Sequence, residues 1–196
     1  MSAPDTLVPG ALTPGRHGAA DGEPVRIGRR GCDLVQLVAR RDGAVALAAA
    51  LRAEYGLELP PPGRAASAGE RRALWLQPQG WLIQAPPGPD GALAEALVRA
   101  GGDAATVVEQ SHGRAVFTLE GAQARAVLAR LCRLDLHPRV FGVGRVAATP
   151  LGGLGALLHQ TGEAPAYELI VAASYARAFG HVLATAAAPV GFEVEG

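Results

Sequence analysis

The first residues whose types suggest chemistry are the adjacent pair Ser111 and His112. A nucleophilic serine needs a base within hydrogen-bond reach and an acid that orients that base. Adjacent residues on a strand point to opposite faces, so these two side chains cannot serve each other if the segment is extended. The chain also lacks the Gly-x-Ser-x-Gly elbow of many serine hydrolases. We therefore predict a local structural role, in a turn before the strand that starts at Ala115, and keep a serine hydrolase as a minor hypothesis.

A second polar group consists of Asp135, His137 and Arg139, which alternate with Leu134, Leu136 and Pro138. Proline pushes the residue before it into an extended conformation, and alternate residues of an extended run share one face. Three interpretations follow: a polar strip that contacts another subunit, a solvated edge strand, or the rim of a small-molecule pocket. The subunit contact is our first prediction.

Glu168 alternates with Tyr167 and Leu169, so its carboxylate faces away from both, and we predict that it points into a groove. The alternative is an exposed strand carboxylate. The glycine-rich runs 142–145 and 152–155 do not open a helix after a strand with G-x-G-x-x-G spacing, so we interpret both as turns rather than as a dinucleotide site.

The composition excludes several kinds of chemistry. All 18 basic residues are arginine, so Schiff-base, P-loop-lysine and lysine-base mechanisms are excluded. The formal net charge is zero and aromatic residues make up only 5%, which argues against a nucleic-acid-binding surface. No histidine lies at metal-ligand spacing from another histidine or from Cys32 or Cys132, so we predict no metal site.

The start of the chain has no basic segment followed by an apolar run, and no uncharged apolar stretch is long enough to span a bilayer. We therefore expect a cytoplasmic location with Cys32 and Cys132 as reduced thiols.

The elements that must position these residues are short. Periodicity and turn residues predict strands and helices in the order strand, helix, strand, strand, helix, strand, followed by a similar second series. In the first series Asp42 and Asp90 are the predicted helix N-caps and Gly56 the predicted stop, and in the second Ser174 is the predicted N-cap. The predicted strands are Leu34–Ala39, Ala73–Leu76, Gly80–Ala85, Thr106–Glu109, Ala115–Leu119, Val143–Ala148, Leu154–His159, Tyr167–Val171 and Val190–Val194.

This order predicts an α+β fold made of two ferredoxin-like βαββαβ units by duplication. We expect a flexible tail over residues 1–24 and a single domain over 25–196, with pseudo-repeats at about 33–110 and 113–195. Each sheet should bury one face under its helices and leave the other for a partner or ligand.

The stretch Val108–Arg139 resembles the gamma subunit of heterotetrameric sarcosine oxidase, and the likeness extends from about Leu34 to Leu183. Gln110 and Gly80 depart from the family pattern. The matching blocks are Ser111-His112-Gly113-Arg114, Glu120-Gly121-Ala122-Gln123-Ala124, Cys132-Arg133-Leu134-Asp135-Leu136-His137-Pro138-Arg139, the tryptophan hairpin Ala73–Ile83, Tyr167-Glu168-Leu169-Ile170-Val171 and Ser174-Tyr175-Ala176.

The resemblance implies an accessory subunit of a complex that oxidises sarcosine or a related N-methyl amino acid at a flavin, makes hydrogen peroxide and passes the one-carbon unit to tetrahydrofolate. It implies FMN, FAD and NAD in partner subunits and no cofactor in this chain. It also implies a fold like the folate-binding domain of aminomethyltransferases, and it establishes no catalytic residue here.

From the resemblance and the absence of catalytic geometry we expect this chain to dock on the alpha subunit, within a complex that also contains beta and delta subunits. The alternative is a stand-alone folate-binding or aminomethyltransferase-like protein with Glu168 as the folate carboxylate. The predicted partner-interface residues are Ser111, His112, Arg114, Asp135, His137 and Arg139.

Overall fold

The structure is a computed structural model that describes residues 12–195. Within this range, none of the helices has the length and apolar character needed to cross a membrane. The strands are β1 Gly15–His17, β2 Val25–Arg30, β3 Asp33–Ala39, β4 Ala65–Ala68, β5 Arg71–Gln77, β6 Gly80–Ala85, β7 Ala105–Glu109, β8 Arg114–Glu120, β9 Val146–Leu151, β10 Leu154–Gly162, β11 Ala166–Ala172 and β12 Phe192–Val194. The α-helices are α1 Ala44–Tyr55, α2 Ala92–Gly101, α3 Ala124–Ala129 and α4 Ala176–Ala187.

The described strands form two sheets. The five-stranded sheet has the order β4-β5-β6-β3-β7, and the seven-stranded sheet has the order β1-β12-β2-β8-β11-β10-β9. Neighbouring strands are antiparallel except β12 and β2, which are parallel. The predicted α+β class is confirmed.

Each sheet has a helix-covered outer face and an inner face against the other sheet. On β11, Tyr167, Leu169 and Val171 join the core that contains α3 and α4, while Ile170 lies in a cluster built only from strands and the Cys32 turn. That strand cluster combines both sheets, with Leu74 and Leu82 from one and Leu157 and Ile170 from the other. Because side chains alternate along a strand, a single strand such as β11 contributes residues to the helix-covered core and to the cluster between the sheets.

The two halves run through the same series of elements. The order β3-α1-β4-β5-β6-α2-β7 is repeated as β8-α3-β9-β10-β11-α4-β12. The order within the sheets also repeats, except that β2 lies between β8 and β12. The predicted strands do not include β4, because residues 65–68 fall in a stretch rich in proline, glycine and alanine.

The N-terminal region differs from the prediction. Val25 and Ile27 of β2 are buried, and this strand pairs with β8 on one side and β12 on the other. Within the predicted tail of residues 1–24, Gly15–His17 pairs with β12, so the tail prediction is wrong for these residues. Residues 1–11 lie outside the described residues.

Helices α1 and α2 are each flanked by glycines, and the aspartates predicted to cap them do not occupy the N-cap positions. Gly56 ends α1 in the left-handed conformation with its N–H donating to Arg52, as predicted. Asp42 does not cap α1, because it has a φ of 63° and the N-cap is Gly43. A side chain at Gly43 would lie 2.2 Å from the carbonyl oxygen of Ala104, so the close approach requires glycine. The N-caps of α2 and α4 are Gly91 and Tyr175 rather than Asp90 and Ser174.

The sheets are also joined along one edge by backbone hydrogen bonds. The N–H of Ala65 donates to Gly144 at 2.8 Å, and the N–H of Val146 donates to Gly63 at 3.0 Å. Residues before β4 and before β9 therefore hold the two halves together beside the strand cluster between the sheets.

We expect Phe179→Ala to lower the free energy of unfolding by about 3–5 kcal/mol. Phe179 is fully buried in α4 and contacts the Phe117 ring edge-on at a centroid distance of 5.1 Å, so truncation leaves a cavity under the seven-stranded sheet. Urea titration followed by circular dichroism measures the change. Val45→Ala on α1 is the control, since Val45 is 82% exposed and should change stability by less than about 0.5 kcal/mol. Equal effects of the two substitutions would contradict this description of the core.

Candidate functional site

The most concentrated group of polar side chains surrounds Glu168, between the two sheets. The Glu168 side chain is 1% exposed, and its cross-strand partner on β10 is His159. Oxygen Oε1 accepts from Arg72 Nη1 at 2.9 Å and lies 3.1 Å from Arg30 Nε, while Oε2 lies 3.5 Å from His159 Nδ1. We call these four residues the Glu168 cluster.

The Glu168 cluster binds the two sheets to each other. Arg72 belongs to β5 of the five-stranded sheet, whereas Arg30, His159 and Glu168 belong to β2, β10 and β11 of the seven-stranded sheet. Burial alone would raise the pKa of Glu168, but the hydrogen bond from His159 and the charges of Arg30 and Arg72 outweigh it and lower the pKa. The carboxylate is therefore ionised at neutral pH and is engaged on both oxygens.

Cys32 and Gln84 extend this polar region. Gln84 Nε2 lies 3.4 Å from Cys32 Sγ, and Gln84 is the cross-strand neighbour of Arg72. Burial raises the pKa of the Cys32 thiol, which keeps it protonated and a poor nucleophile. Both Cys32 and Cys132 are free thiols.

The position of Glu168 agrees with its sequence-based prediction in one respect. It faces away from Tyr167 and Leu169, which lie in the helix-covered core, as predicted. The space it faces is the closed junction between the sheets, so the carboxylate is less accessible than a groove residue would be. Its role as a folate carboxylate stays a prediction.

Ser111 and His112 lie in a turn between β7 and β8, not on a strand, so the argument from opposite strand faces does not apply to them. They are nevertheless bonded to different groups. Ser111 Oγ accepts from the Leu34 N–H at 2.9 Å and donates to Glu109 Oε1 at 2.5 Å. The His112 ring is exposed and lies 3.3 Å from Asp90 Oδ1. The serine hydroxyl thus holds the turn against the start of β3, which is consistent with the predicted local role.

Asp135, His137 and Arg139 also lie outside any strand, and the predicted extended run is wrong. Asp135 Oδ1 accepts from the His137 N–H at 2.9 Å, and the Arg139 N–H donates to His137 Nδ1 at 3.2 Å. These local bonds bend the backbone and compete with a strand ladder. All three side chains are exposed, while Leu136 and Phe141 anchor the loop in the core.

Arg114, the remaining predicted interface residue, opens β8 and is half-buried. Its Nε has no hydrogen-bond partner in the described chain, and burial lowers the pKa of the guanidinium. Among residues 12–195, no hydrogen bond or ion pair joins the group at 111–114 to the group at 135–139. No group of three or more potential metal ligands occurs in this range.

Sequence reasoning missed Arg30, Arg72 and His159. No role was predicted from the sequence for any of these three residues. The available signal was the β10–β11 hairpin, because a register that places His159 opposite Glu168 would have suggested a buried pair. No comparable signal points to Arg72, which approaches Glu168 from the other sheet.

Comparison with solved structures identifies the fold. The chain shares its fold with the glycine cleavage system aminomethyltransferase T from Bartonella henselae, with a TM-score of 0.64 and 17% identity, over 88% of this chain and 48% of that one. The fold is therefore an α+β fold with two sheets, similar to part of aminomethyltransferase T.

The family follows from closer relatives. Residues 40–189 match the model of the sarcosine oxidase, gamma subunit family. A structure of heterotetrameric sarcosine oxidase from Corynebacterium sp. U-96, in complex with pyrrole 2-carboxylate, has a TM-score of 0.75 and 34% identity over 87% of this chain and 86% of that chain. The chain belongs to the sarcosine oxidase gamma subunit family.

Curated relatives agree over part of the chain. The sarcosine oxidase gamma subunit of an Arthrobacter species is 43% identical over 123 residues, which cover 62% of this chain and 60% of the relative. That of Corynebacterium sp. strain U-96 is 40% identical over 123 residues, which cover 59% and 57%. The match thus spans less than two thirds of these relatives' length.

We expect Glu168→Gln to lower the free energy of unfolding by about 3 kcal/mol near neutral pH, because two guanidinium groups lose their buried carboxylate. The loss of stability caused by this substitution should become smaller as the pH is lowered. Since the folded-state pKa of Glu168 lies below the ordinary 4.5, its stabilisation is present above that pH and is lost as the pH falls through the folded-state value.

Urea titrations of wild type and Glu168→Gln at several pH values measure this difference, which should be largest near neutral pH and shrink in acid. Glu120→Gln is the matched control on the same sheet, since Glu120 pairs with Arg26 at 3.1 Å but is 40% exposed. It should cost less than about 1 kcal/mol. A difference between wild type and Glu168→Gln that does not change with pH would argue against the assigned ionisation.

Proposed function

We propose that this chain is the accessory gamma subunit of a heterotetrameric sarcosine oxidase-type complex that oxidatively demethylates sarcosine or a related N-methyl amino acid. The observation that carries the proposal is the family match over residues 40–189, together with the likeness to a chain of a heterotetrameric sarcosine oxidase. FMN, FAD and NAD would bind in partner subunits, tetrahydrofolate would be used by the complex, and we expect the complex in the cytoplasm.

The chemistry of the described residues supports an accessory role. The buried Glu168 carboxylate is engaged on both oxygens by Arg30, Arg72 and His159, and these contacts hold it in the junction between the sheets rather than presenting it to a substrate as a general base. Ser111 donates its hydroxyl proton to Glu109, and no histidine is in contact with it among the described hydrogen bonds. In this proposal the chain contributes a folded surface and leaves the oxidation to its partners.

The proposal also concerns the origin of the two sheets. We interpret residues about 33–110 and 113–195 as two ferredoxin-like units that arose by duplication, within a single domain over 25–196. The strand orders β5-β6-β3-β7 and β10-β11-β8-β12 support it, once β2 is regarded as an insertion in the second sheet.

The docking surface of the proposal includes the exposed residues of the loop anchored by Leu136 and Phe141. Asp135, His137 and Arg139 are exposed there, and anchoring holds them in place without regular secondary structure. Long loops packed by their own side chains are frequent sites of function. The turn at Ser111, His112 and Arg114 is the second part of the proposed contact with the alpha subunit.

We expect the wild-type chain to co-purify with a tagged alpha subunit when all four subunits are co-expressed, and Arg139→Glu to reduce recovery about tenfold, the equivalent of roughly 1.4 kcal/mol. Reversing an exposed charge at a protein contact creates like-charge repulsion without disturbing the core. Arg99→Glu on the exposed face of α2 is the control and should leave recovery unchanged.

The outcomes separate the two parts of this proposal. A wild-type chain that remains unassociated would overturn the subunit assignment. If both arginine variants are recovered as well as wild type, the subunit assignment still holds, but this loop is not part of the interface.

The alternative function is folate binding by the isolated chain, and the shared fold with aminomethyltransferase T is the observation that favours it. A common fold does not establish a common ligand, and the ion pairs of Glu168 already satisfy its carboxylate. The accessory role is therefore the better supported proposal.

Titration calorimetry of the isolated chain with tetrahydrofolate tests the alternative. We expect no saturable binding, because the candidate carboxylate is buried and paired. Saturable binding that is lost in Glu168→Gln and kept in Glu120→Gln would reverse the order of the two proposals.

A further inference from the structure

A groove lies on the helix-covered side of the five-stranded sheet, apart from the Glu168 cluster, and its Asp33 end adjoins the turn that carries Ser111 and His112. It has a volume of about 580 Å³ and is bordered by the end of α1, the β4–β5 turn and the first turns of α2. Its size falls within the range of ordinary small-molecule sites. Its lining includes Asp33, Tyr55, Glu70, Arg71, Ala85 and Leu93.

Three of these residues form a row across the sheet. Asp33 on β3 pairs with Ala85 on β6, and the β5–β6 register, in which Arg72 faces Gln84, places Arg71 opposite Ala85. Strands are spaced by about 4.8 Å, so the backbones of Asp33 and Arg71 lie about 10 Å apart with the small Ala85 between them. The groove therefore has an acidic end, a basic end and a low apolar floor.

The acidic end is suited to a cation. Asp33 Oδ2 accepts the N–H of Gly88 at 3.1 Å, and Asp33 forms no ion pair with the described residues. Burial raises the pKa of Asp33, and the neighbouring charges of Glu109 and Asp90 raise it further, while the Gly88 hydrogen bond and the nearby His112 oppose this shift. An ammonium group at Asp33 would relieve this unfavourable environment.

The basic end is suited to a carboxylate. The Arg71 guanidinium lies 4.8 Å from the centre of the Tyr55 ring, which holds it over one face of the groove. Within residues 12–195 it forms no salt bridge, so its forked donors are available to a ligand. Glu70 immediately precedes Arg71 in the chain and is the lining carboxylate at this end of the groove.

We propose that this groove binds a free amino acid with an apolar side chain. The ammonium group lies at Asp33, the carboxylate lies at Arg71, and the side chain lies on Ala85 and Leu93. A plain amine would leave Arg71 unmatched and a plain acid would leave Asp33 unmatched, so the pair of opposite charges specifies a zwitterion. The inference does not depend on the accessory-subunit proposal.

Titration calorimetry of the full chain with leucine, isoamylamine and isocaproate tests the proposal, because the last two each lack one charged group of leucine. We expect saturable leucine binding and at least tenfold weaker binding of the other two. Asp33→Asn and Arg71→Gln should each weaken leucine binding at least tenfold. Glu70→Gln should strengthen it several-fold, by removing a negative charge near the ligand carboxylate.

Asp135→Asn and Arg139→Gln are the matched controls outside the groove and should not change leucine binding. Absence of saturable leucine binding would overturn the proposal, as would isoamylamine binding as tightly as leucine. Arg71 is exposed, so Arg71→Gln should fold, as checked by circular dichroism, and unchanged leucine binding in that variant alone would also overturn it.

Discussion

The structure depends on the burial of one carboxylate between two sheets. An ionised Glu168 in that position requires compensation, and the compensation comes from both sides of the junction, with Arg72 on one sheet and Arg30 and His159 on the other. The apolar residues around it supply most of the favourable contact, but apolar contacts alone tolerate sliding. The charged contacts are directional, so they select one alignment of β5 against β11.

Much of the fold could be predicted because the strands and helices carry clear local periods. The bounds of α1 and β6 agree with the sequence patterns, and Gly56 ends its helix as a left-handed glycine should. The prediction failed where tertiary pairing decides the structure. The strand β4 has the sequence Ala-Ala-Ser-Ala, which has no strand preference of its own, and it forms because β5 pairs with it and the residues just before it hydrogen-bond to the loop ahead of β9.

The site shows the same division between local and distant information. The facing of Glu168 followed from period-two alternation on β11, whereas its partners Arg30 and Arg72 lie 138 and 96 positions away along the chain, since 168 minus 30 is 138 and 168 minus 72 is 96. Asp135 and His137 were predicted to lie in an extended run because alternation alone does not reveal side-chain bonds to the local backbone, and these bonds are present in the loop. The family resemblance, in contrast, depended on short blocks of residues and was correct without knowledge of these contacts.

The position of β2 has a consequence for how the protein is made. Val25 pairs with Phe192, so two strands that lie side by side are 167 positions apart, as 192 minus 25 shows. A ribosome delivers β2 long before its parallel neighbour exists, and the first half can close its own sheet while β2 still lacks both of its partners, β8 and β12. The two halves therefore cannot be separated between β7 and β8 into equal modules, because β2 lies in the sheet of the second half but precedes the first half in the sequence.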